Sequence, residues 1–349
     1  MRLAQELRHR GHDVTWIGGD VTSQALRRRG EAVELSVEIE KVMLAHLLRV
    51  DSRPEWVASC GVLSQLHAAL ESSRPECLLV DRVLAMVVPI AESLGIPFAV
   101  IGSPGGNWTR SAAGMWATPQ LVEADLTQRL TTDIDWFGSE VSSEWAASPG
   151  LNVAFLGRSF YAEETVDSSS AFVNLFSPPG TGDPRHEGRL AFAFGQTGVL
   201  KVLQSVLDRV VAEGTFPLER IDVLLGGRPG FVEDFRRYRE LGVAVHSWQD
   251  YRRAFADFSA LVTFGGIGTL WHAIDQSVPA LVVPGGAGDQ MFNANAIERC
   301  GLGLQYDSEA PVPLSSLFGE ERAGAFERFK DDANFTDDLT SACDRIESL

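Results

Sequence analysis

The sequence lacks the cysteine patterns of a metal-binding or disulfide-linked protein. Its four cysteines, Cys60, Cys77, Cys300 and Cys343, are scattered and form no CxxC pair or Cys/His cluster. Structural zinc sites use closely spaced cysteines and disulfide frameworks use many of them, so we predict reduced thiols and no metal. Reduced thiols are typical of a cytoplasmic protein, and that is the location we expect.

An apolar stretch long enough to cross a bilayer is also lacking. The longest apolar region, residues 77–101, is interrupted by Asp81, Arg82 and Glu92, whereas a transmembrane helix needs about 20 predominantly apolar residues. Residues 1–16 contain no apolar core of a signal peptide. We therefore expect no membrane insertion.

Basic residues are few. The chain has 30 Lys and Arg against 47 Asp and Glu, a formal net charge of −17. Such a surface repels nucleic acid and anionic membranes, and solubility is a sufficient reason for the charge. We expect no nucleic-acid partner, and any anionic ligand must be held by local hydrogen-bond donors.

The 349 residues exceed the size at which a single core stops growing, which favours two domains. Apolar strands alternate with helices in both halves, a pattern typical of parallel sheets. Predicted strands lie at 14–17, 33–37, 77–80, 96–101, 190–194, 221–225, 243–247, 260–264 and 280–283, and the main predicted helices at 1–10, 42–72, 84–94, 199–213 and 231–241.

Residues 168–188, with three prolines and three glycines, separate the two halves. We predict an α/β domain at 1–167, a linker at 168–188, a second α/β domain at 189–325 and a helical tail at 326–349, acidic and solvated. Two such domains would form a cleft between facing strand ends, where such sheets bind ligands.

The most informative stretch is residues 264–294. It predicts a strand end, a glycine turn, a helix, a second strand, a glycine loop and another helix. Gly265, Gly266 and Gly268 let backbone N–H groups converge where the first helix begins. A helix start carries about half a positive charge, so this turn predicts a seat for phosphate or pyrophosphate.

A second glycine loop, residues 195–198, also joins a predicted strand to a helix. Its Gln196 and Thr197 offer a small hydroxyl group and free N–H groups, which suit a diphosphate. Many strand-to-helix turns look alike and bind nothing. Together with the turn at Gly265 in the same half of the chain, the loop supports diphosphate binding.

Two pairs of adjacent residues could contact a nucleobase and a sugar. Trp248 follows a strand and could stack on a nucleobase while Gln249 bonds the base or ribose, although a tryptophan that caps the core fits the spacing equally well. Asp289 and Gln290 place acceptors and donors side by side, which suits sugar hydroxyls. A helix N-cap is the alternative for Asp289.

Two further side chains are candidates for the site. His272 lies near the start of the helix that follows the glycine turn, close to the predicted phosphate seat. Asp81 ends a strand in the first half, where it could orient a catalytic histidine across the cleft. A helix cap is the alternative for Asp81.

These segments together resemble the GT-B glycosyltransferases that use nucleotide sugars to glycosylate small molecules, a group with plant secondary-metabolite and bacterial antibiotic or carotenoid members. The family's signature is a His-Gly-Gly-x-Gly-Thr turn, a Gly-x-Pro strand entry, and Asp-Gln followed by Asn-Ala. The chain shows FGGIGT at 264–269, SVP at 277–279 and DQMFNA at 289–294. RGHDVTWIG at 10–18 is similar to the end of the family's first helix and its second strand.

The resemblance implies two Rossmann-like domains facing a cleft and inverting transfer of a sugar. The donor would be a UDP- or dTDP-sugar, used as a co-substrate with no cofactor, and the acceptor a hydroxyl or amine of a small, hydrophobic secondary metabolite. Asp81 matches the aspartate that orients the family's catalytic base. The implied donor contacts are Gln196, Thr197, Trp248, Gln249, Phe264, Gly265, Gly266, Gly268, Thr269, His272, Asp289 and Gln290.

Three departures from the family pattern affect these expectations. Phe264 replaces a histidine that faces the diphosphate, which leaves backbone amides and Thr269 to carry more of the charge. His272 replaces a glutamate that bonds the ribose, which makes a deoxyribose donor conceivable. The family's base lies in a loop after the first strand, and this chain begins at the following helix. We therefore expect slow or no turnover from residues 1–349, with donor binding retained.

Two alternative functions remain, the first of which is motivated by Phe264 and the missing base. A catalytically impaired glycosyltransferase-like protein would bind the donor and act as an auxiliary partner. A nucleotide-sugar epimerase on the same fold would need no separate acceptor, but the Asp-Gln-x-x-Asn-Ala arrangement favours a transferase.

Overall fold

The structure is a computed structural model, in which helices and parallel strands alternate along the chain. It describes residues 2–19, 23, 26–27, 30–36, 64–81, 87–101, 151–154, 156, 160–161, 170–172, 188–195, 200–226, 229–247, 249–284, 288–331 and 339–349. Within these residues, no helix is both long and apolar enough to span a membrane.

Nine helices are bounded within the described ranges, and residues 64–73 are helical as well. The helices are α1 (Arg2–His9), α2 (Val88–Leu94), α3 (Leu200–Glu213), α4 (Arg236–Glu240), α5 (Tyr251–Ala254), α6 (Ile267–Asp275), α7 (Gly288–Arg299), α8 (Glu320–Asp331) and α9 (Leu339–Glu347). The strands are β1 (Trp16–Gly18), β2 (Val33–Ser36), β3 (Leu78–Asp81), β4 (Phe98–Ile101), β5 (Asn152–Ala154), β6 (Ser170–Phe172), β7 (Leu190–Ala193), β8 (Ile221–Leu224), β9 (Ala244–His246), β10 (Ala260–Thr263), β11 (Ala280–Val282) and β12 (Gly303–Gln305).

The first half of the chain contains two parallel sheets. Strands β1 and β2 pair with each other, and a four-stranded sheet has the order β3-β4-β5-β6. Strand β6 falls inside the segment predicted as a linker, residues 168–188, and pairs with β5. The limits of the two domains stay a prediction.

The second half contains one six-stranded parallel sheet with the order β9-β8-β7-β10-β11-β12. Numbered along the chain, this is the order 3-2-1-4-5-6 of a doubly wound sheet, whose direction of winding reverses between its first and fourth strands. Here the reversal lies between β7 and β10. In such sheets ligands bind beyond the carboxyl ends of the strands at this point.

The central strands of this sheet are buried on both faces, which explains their continuous apolar sequences. On one face Phe192 and Val262 pack against α3, and on the other Ala191 and Leu261 pack in the cluster that contains α6. Helix α3 buries residues at helical spacing: Leu203, Val206, Leu207 and Val210.

The helix predicted at residues 231–241 is in fact broken. A 3-10 turn at Glu233–Phe235 precedes the short helix α4. Phe235 adopts φ −103° and ψ 8° at the junction, where its buried ring packs edge-on against Phe194 with centroids 5.0 Å apart. Burial of this ring takes precedence over the regular helix that the local sequence favours.

In the tail, α8 and α9 are helical as predicted, but the tail is not simply solvated. Helix α8 buries Phe326 and Phe329 in the core of the second half. Helix α9 packs on α1 and on the four-stranded sheet, so the last residues of the chain cover the first half. This cluster comprises Leu3, Leu7, Ala99, Leu151, Val153, Ala342, Cys343 and Ile346.

Ion pairs line the contact between α1 and α9. The Arg10 guanidinium donates to Asp344 at 2.6 Å and to Glu347 at 3.0 Å, and to the carbonyl oxygen of Thr340 at 3.0 Å. His12 Nε2 lies 2.8 Å from Glu347. The hydrogen bond with His12, aided by the charge of Arg10, lowers the pKa of Glu347. Exposed pairs contribute little individually, so these contacts orient α9 while the apolar residues provide most of the stability.

We expect Glu347→Gln to lower the thermal midpoint at pH 7, with a difference from the parent protein that shrinks in acid. The pKa of Glu347 is depressed in the folded state, so its stabilisation is present above the ordinary value of 4.5 and is lost as the pH falls through the lowered value. Calorimetry from pH 7 to pH 3.5 measures it. Glu327→Gln, at an exposed position on α8, controls for loss of one charge. A difference that stays constant below pH 4.5 would contradict the assignment.

Candidate functional site

The two glycine turns predicted to hold a diphosphate follow neighbouring strands at the point where the sheet order reverses. Ala193, the last residue of β7, is the register partner of Thr263, the last residue of β10. Gly195 and Gly265 therefore leave the sheet side by side, both with positive φ, of 57° and 84°. The rest of the first loop, including Gln196 and Thr197, lies outside the described residues.

Gly265 is required by the fold. Its φ is +84°, and a Cβ atom there would lie 2.5 Å from Val282 Cγ1 and 3.4 Å from the backbone oxygen of Gln290. Only glycine adopts this conformation in this space without strain. The second strand of the crossover and the first turn of α7 thus pack directly against the turn. The structure brings the Gly265 turn and the first turn of α7 together, and a shared role in one site stays a prediction.

Asn293 holds this arrangement. It is completely buried on α7, and its Nδ2 donates a hydrogen bond of 2.9 Å to the carbonyl oxygen of Gly265. Sequence reasoning gives Asn293 no role of its own. The available signal is its position three residues after Gln290 and four before Ile297, on the buried face of a helix where a polar side chain needs a partner.

Gly266 and Gly268 differ from Gly265, because packing does not require them. Gly266 is the N-cap of α6 with φ −60° and ψ 133°, and Gly268 is exposed in the first turn. A Cβ atom at either position would meet no heavy atom within 4 Å among the described residues. The intrahelical bonds begin with Thr269, so the N–H groups of residues 267 and 268 precede them. An anion can approach these N–H groups without obstruction from side chains of Gly266 or Gly268.

His272 shares a helix face with the open glycine position. It lies four residues after Gly268 and three after Thr269, which places all three on one side of α6. Both Thr269 and His272 are half-buried. The His272 ring packs edge-on against Trp271, with centroids 4.9 Å apart. The predicted set of Gly268, Thr269 and His272 thus forms a contiguous surface that begins at the N-terminus of α6.

The structure places the side chain of Phe264 in the core. It is 4% exposed and packs edge-on against Phe194, with centroids 6.3 Å apart, in the cluster that includes α3. Sequence reasoning puts Phe264 beside the diphosphate because of the histidine it replaces. Only the backbone of Phe264 borders the glycine turn, so its side chain adds no donor to the site.

Asp289 and Gln290 lie in the first turn of α7. The helix begins at Gly288, so Asp289 is its second residue and does not occupy the predicted alternative position of an N-cap. Gln290 is buried, at 8% exposure. Both therefore occupy the end of α7 that faces the Gly265 turn.

Trp248 lies outside the described residues, and its neighbour Gln249 is half-buried. The Nε2 atom of Gln249 is 3.1 Å from His246 Nδ1, and the Nε2 atom of that ring is 2.8 Å from Asp222 Oδ1. Sequence reasoning gives no role to His246 or Asp222, since neither lies in a recognised motif. The signal in the sequence is Asp222 itself, a charged residue within the otherwise apolar strand β8.

Asp81 ends β3 and is exposed. Its register partner is Ile101, the last residue of β4, so Asp81 lies at the carboxyl edge of the four-stranded sheet, where ligands bind in such folds. The N-cap position of the next described helix, α2, is Val87, so Asp81 does not cap that helix.

Across the described ranges, no three His, Cys, Asp or Glu side chains lie close enough to hold a metal ion.

Comparison of sequences and structures places this geometry in context. No protein-family model matches the chain, and no curated protein is significantly similar in sequence. Solved structures match over its whole length. The chain has the GT-B fold. The predicted architecture of two Rossmann-like halves is confirmed by glycosyltransferase structures with which it shares low sequence identity.

Three of these structures illustrate the likeness. The glycosyltransferase of kitacinnamycin is 20% identical with a TM-score of 0.69, over 99% of this chain and 94% of that one. A Streptomyces sp. SF2575 glycosyltransferase complexed with thymidine diphosphate is 16% identical with a TM-score of 0.64, over 99% and 94%. The spinosyn rhamnosyltransferase complexed with spinosyn aglycone is 17% identical with a TM-score of 0.58, over 100% and 92%.

Two substitutions distinguish Gly265, which the packing requires, from Gly268, which the packing does not require. Gly265→Ala is expected to destabilise the protein by roughly 1–3 kcal/mol, because alanine is strained at positive φ and its Cβ meets Val282. Gly268→Ala is expected to be neutral or to stabilise by up to about 1 kcal/mol, since alanine favours the helix and enters open space. Urea unfolding of both variants measures the free energy of unfolding. Equal destabilisation by the two would refute this distinction.

Proposed function

We propose that the chain is an inverting glycosyltransferase that moves a sugar from a UDP- or dTDP-sugar to a hydroxyl or amine of a small, hydrophobic secondary metabolite. The observation that carries the proposal is the pair of glycine turns after β7 and β10, where the order of the doubly wound sheet reverses. In this proposal residues 1–167 bind the acceptor, 168–188 link the halves, and 189–325 bind the donor.

The donor end of the mechanism follows from α6. As the bond between the sugar and the β-phosphate breaks, negative charge collects on the departing nucleoside diphosphate. The N–H groups of residues 267 and 268, the hydroxyl of Thr269 and the dipole of α6 would stabilise that charge. These donors are local, as the net charge of −17 requires. We propose that they act without a metal ion or other cofactor.

The acceptor end involves Asp81. A general base would take the proton from the acceptor hydroxyl or amine as that group attacks the anomeric carbon, and the nucleoside diphosphate would leave from the opposite face. Asp81 would act as a positioning residue that orients this base from the carboxyl edge of the four-stranded sheet. Its exposure and its place at the end of β3 support that role.

The compared structures support the ligand classes. The Streptomyces sp. SF2575 glycosyltransferase binds thymidine diphosphate, which is the product that a dTDP-sugar would leave. The spinosyn rhamnosyltransferase binds an aglycone. We propose that the present chain likewise releases a nucleoside diphosphate and accepts a small-molecule aglycone. A cytoplasmic location is a further part of the proposal. Among the described cysteines, Cys77, Cys300 and Cys343 form no disulfide, which accords with that location.

The second candidate is a donor-binding protein that has lost turnover and serves as an auxiliary partner. It is favoured by Phe264. The resembled family has a histidine at this position that donates to the diphosphate, whereas the Phe264 ring is buried in the core and offers no donor. Both functions require the same donor site, so binding alone cannot separate them, whereas formation of a glycoside can.

Binding of the leaving group tests the shared part of both functions. We expect the chain to bind thymidine diphosphate or UDP, and Gly268→Ala to weaken that binding by about tenfold or more, because the added methyl group occupies the space through which an anion reaches the N–H groups. Isothermal titration calorimetry measures the affinity. Gly324→Ala, a helical glycine substitution on α8, serves as the matched control. Equal affinity in the Gly268 and Gly324 variants would contradict the donor site.

Product formation separates the two functions. The chain is incubated with UDP-glucose or dTDP-glucose and a panel of hydroxylated aromatic aglycones, and mass spectrometry detects any glycoside. For an inverting transferase we expect a β-glycoside from the α-linked donor, read from the anomeric coupling constant by NMR. Nucleotide binding without any glycoside favours the auxiliary protein. A changed donor in the absence of acceptor would instead identify an epimerase.

A further inference from the structure

A series of hydrogen-bonded side chains crosses one face of the six-stranded sheet toward the predicted base-binding segment. Asp222 of β8 is 2% exposed. Arg189, just before β7, donates to its Oδ2 atom, and His246 Nε2 lies 2.8 Å from its Oδ1 atom. Gln249 Nε2 is in turn 3.1 Å from His246 Nδ1. Both oxygens of the buried carboxylate are thus bonded, which is what makes its burial tolerable.

The register of β8 and β9 explains how these hydrogen bonds form. Leu224 of β8 is the partner of His246 on β9, so Asp222, two residues earlier, lies diagonally across from His246 on the same face. β9 is an edge strand of the six-stranded sheet. Its carboxyl end leads directly to residues 248 and 249. The His246 ring therefore lies between the buried carboxylate and the Gln249 side chain.

The chemistry of the partners fixes the direction of each hydrogen bond. A carboxylate has acceptor atoms only, so the Nε2–H group of His246 donates to Asp222. In the neutral ring, Nδ1 is then an acceptor, and the amide NH₂ of Gln249 donates a hydrogen bond to it. This assignment leaves the amide oxygen of Gln249 as the end that is not directed at His246.

We propose that His246 is a positioning residue for nucleotide binding: held by Asp222, it orients the Gln249 amide so that its carbonyl oxygen is presented to the base of the donor. The inference rests on the proposed donor site and assigns it a specific element. Gln249 is half-buried next to Trp248, the residue predicted to stack on the base. A carbonyl oxygen suits the imide N–H of uracil or thymine, which is a hydrogen-bond donor.

Two variants test the roles of the two His246 ring nitrogens separately. In His246→Gln the amide nitrogen can replace Nε2 at Asp222, but no group replaces Nδ1, so the hydrogen bond to Gln249 is lost while the buried carboxylate stays bonded. In His246→Asn the side-chain oxygen can replace Nδ1, and the contact with Gln249 is kept. The experiment measures the affinity for UDP and thymidine diphosphate of the wild type, these variants, Gln249→Leu and the double variant His246→Gln/Gln249→Leu. His12→Gln, at a hydrogen-bonded histidine on the α1–α9 contact, is the matched control.

We expect His246→Gln to bind the nucleotides about three- to tenfold more weakly, which is the net effect of losing one hydrogen bond. We expect His246→Asn to recover wild-type affinity and His12→Gln to leave the affinity unchanged. The double variant should bind no more weakly than Gln249→Leu, because His246 acts through Gln249. Wild-type affinity in His246→Gln, or additive losses in the double variant, would overturn the inference. If the wild type binds neither nucleotide, the proposed function itself fails, and the role of His246 fails with it.

A ligand-independent readout completes the test. Nitrogen NMR of the histidine rings distinguishes the two neutral tautomers. We expect the Nε2–H form for His246 in the wild type, assigned by its loss in His246→Gln. An Nδ1–H form would overturn the inference even where nucleotide binding is normal, because the Gln249 amide would then be reversed.

Discussion

The left-handed backbone at Gly265 is the constraint on which the donor half of the molecule depends. At φ +84° the chain turns from the end of β10 into α6, in a space where Val282 leaves no room for a side chain. Asn293 donates a hydrogen bond to the carbonyl oxygen of this residue, which ties α7 to the turn. One backbone conformation therefore sets the direction of α6 and the distance of α7.

Much of this architecture could be predicted from the sequence, because nearly continuous apolar runs followed by glycine carry a strong local signal. The strands predicted at 190–194, 221–225, 260–264 and 280–283 match β7, β8, β10 and β11 to within a residue at each end. The sequence did not indicate β5, β6 or β12, each three residues long. Strand β11 is equally short but falls in the unbroken apolar run 280–283, whereas Asn152, Ser170 and Gly303 begin these three strands.

The parts of the candidate site that depend on backbone conformation could be predicted from glycine positions. The parts that depend on contacts between residues distant in sequence could not. Glycine spacing indicated the turn at Gly265, since few residues tolerate positive φ. It did not indicate that the Phe264 ring enters the core, because that depends on Phe194 from a different strand. The His246–Asp222 pair joins residues 24 apart through the register of two strands, which periodicity alone does not give. The same holds for Asn293, whose partner is 28 residues away.

The contact between α1 and α9 has a consequence for how the chain folds during synthesis. Arg10 and Asp344 are 334 residues apart, yet the apolar faces of their two helices share one cluster. Until α9 has left the ribosome, Leu3, Leu7 and Val153 have no cover from Ala342, Cys343 and Ile346. The first half can therefore bury this apolar surface only after α9 has been made.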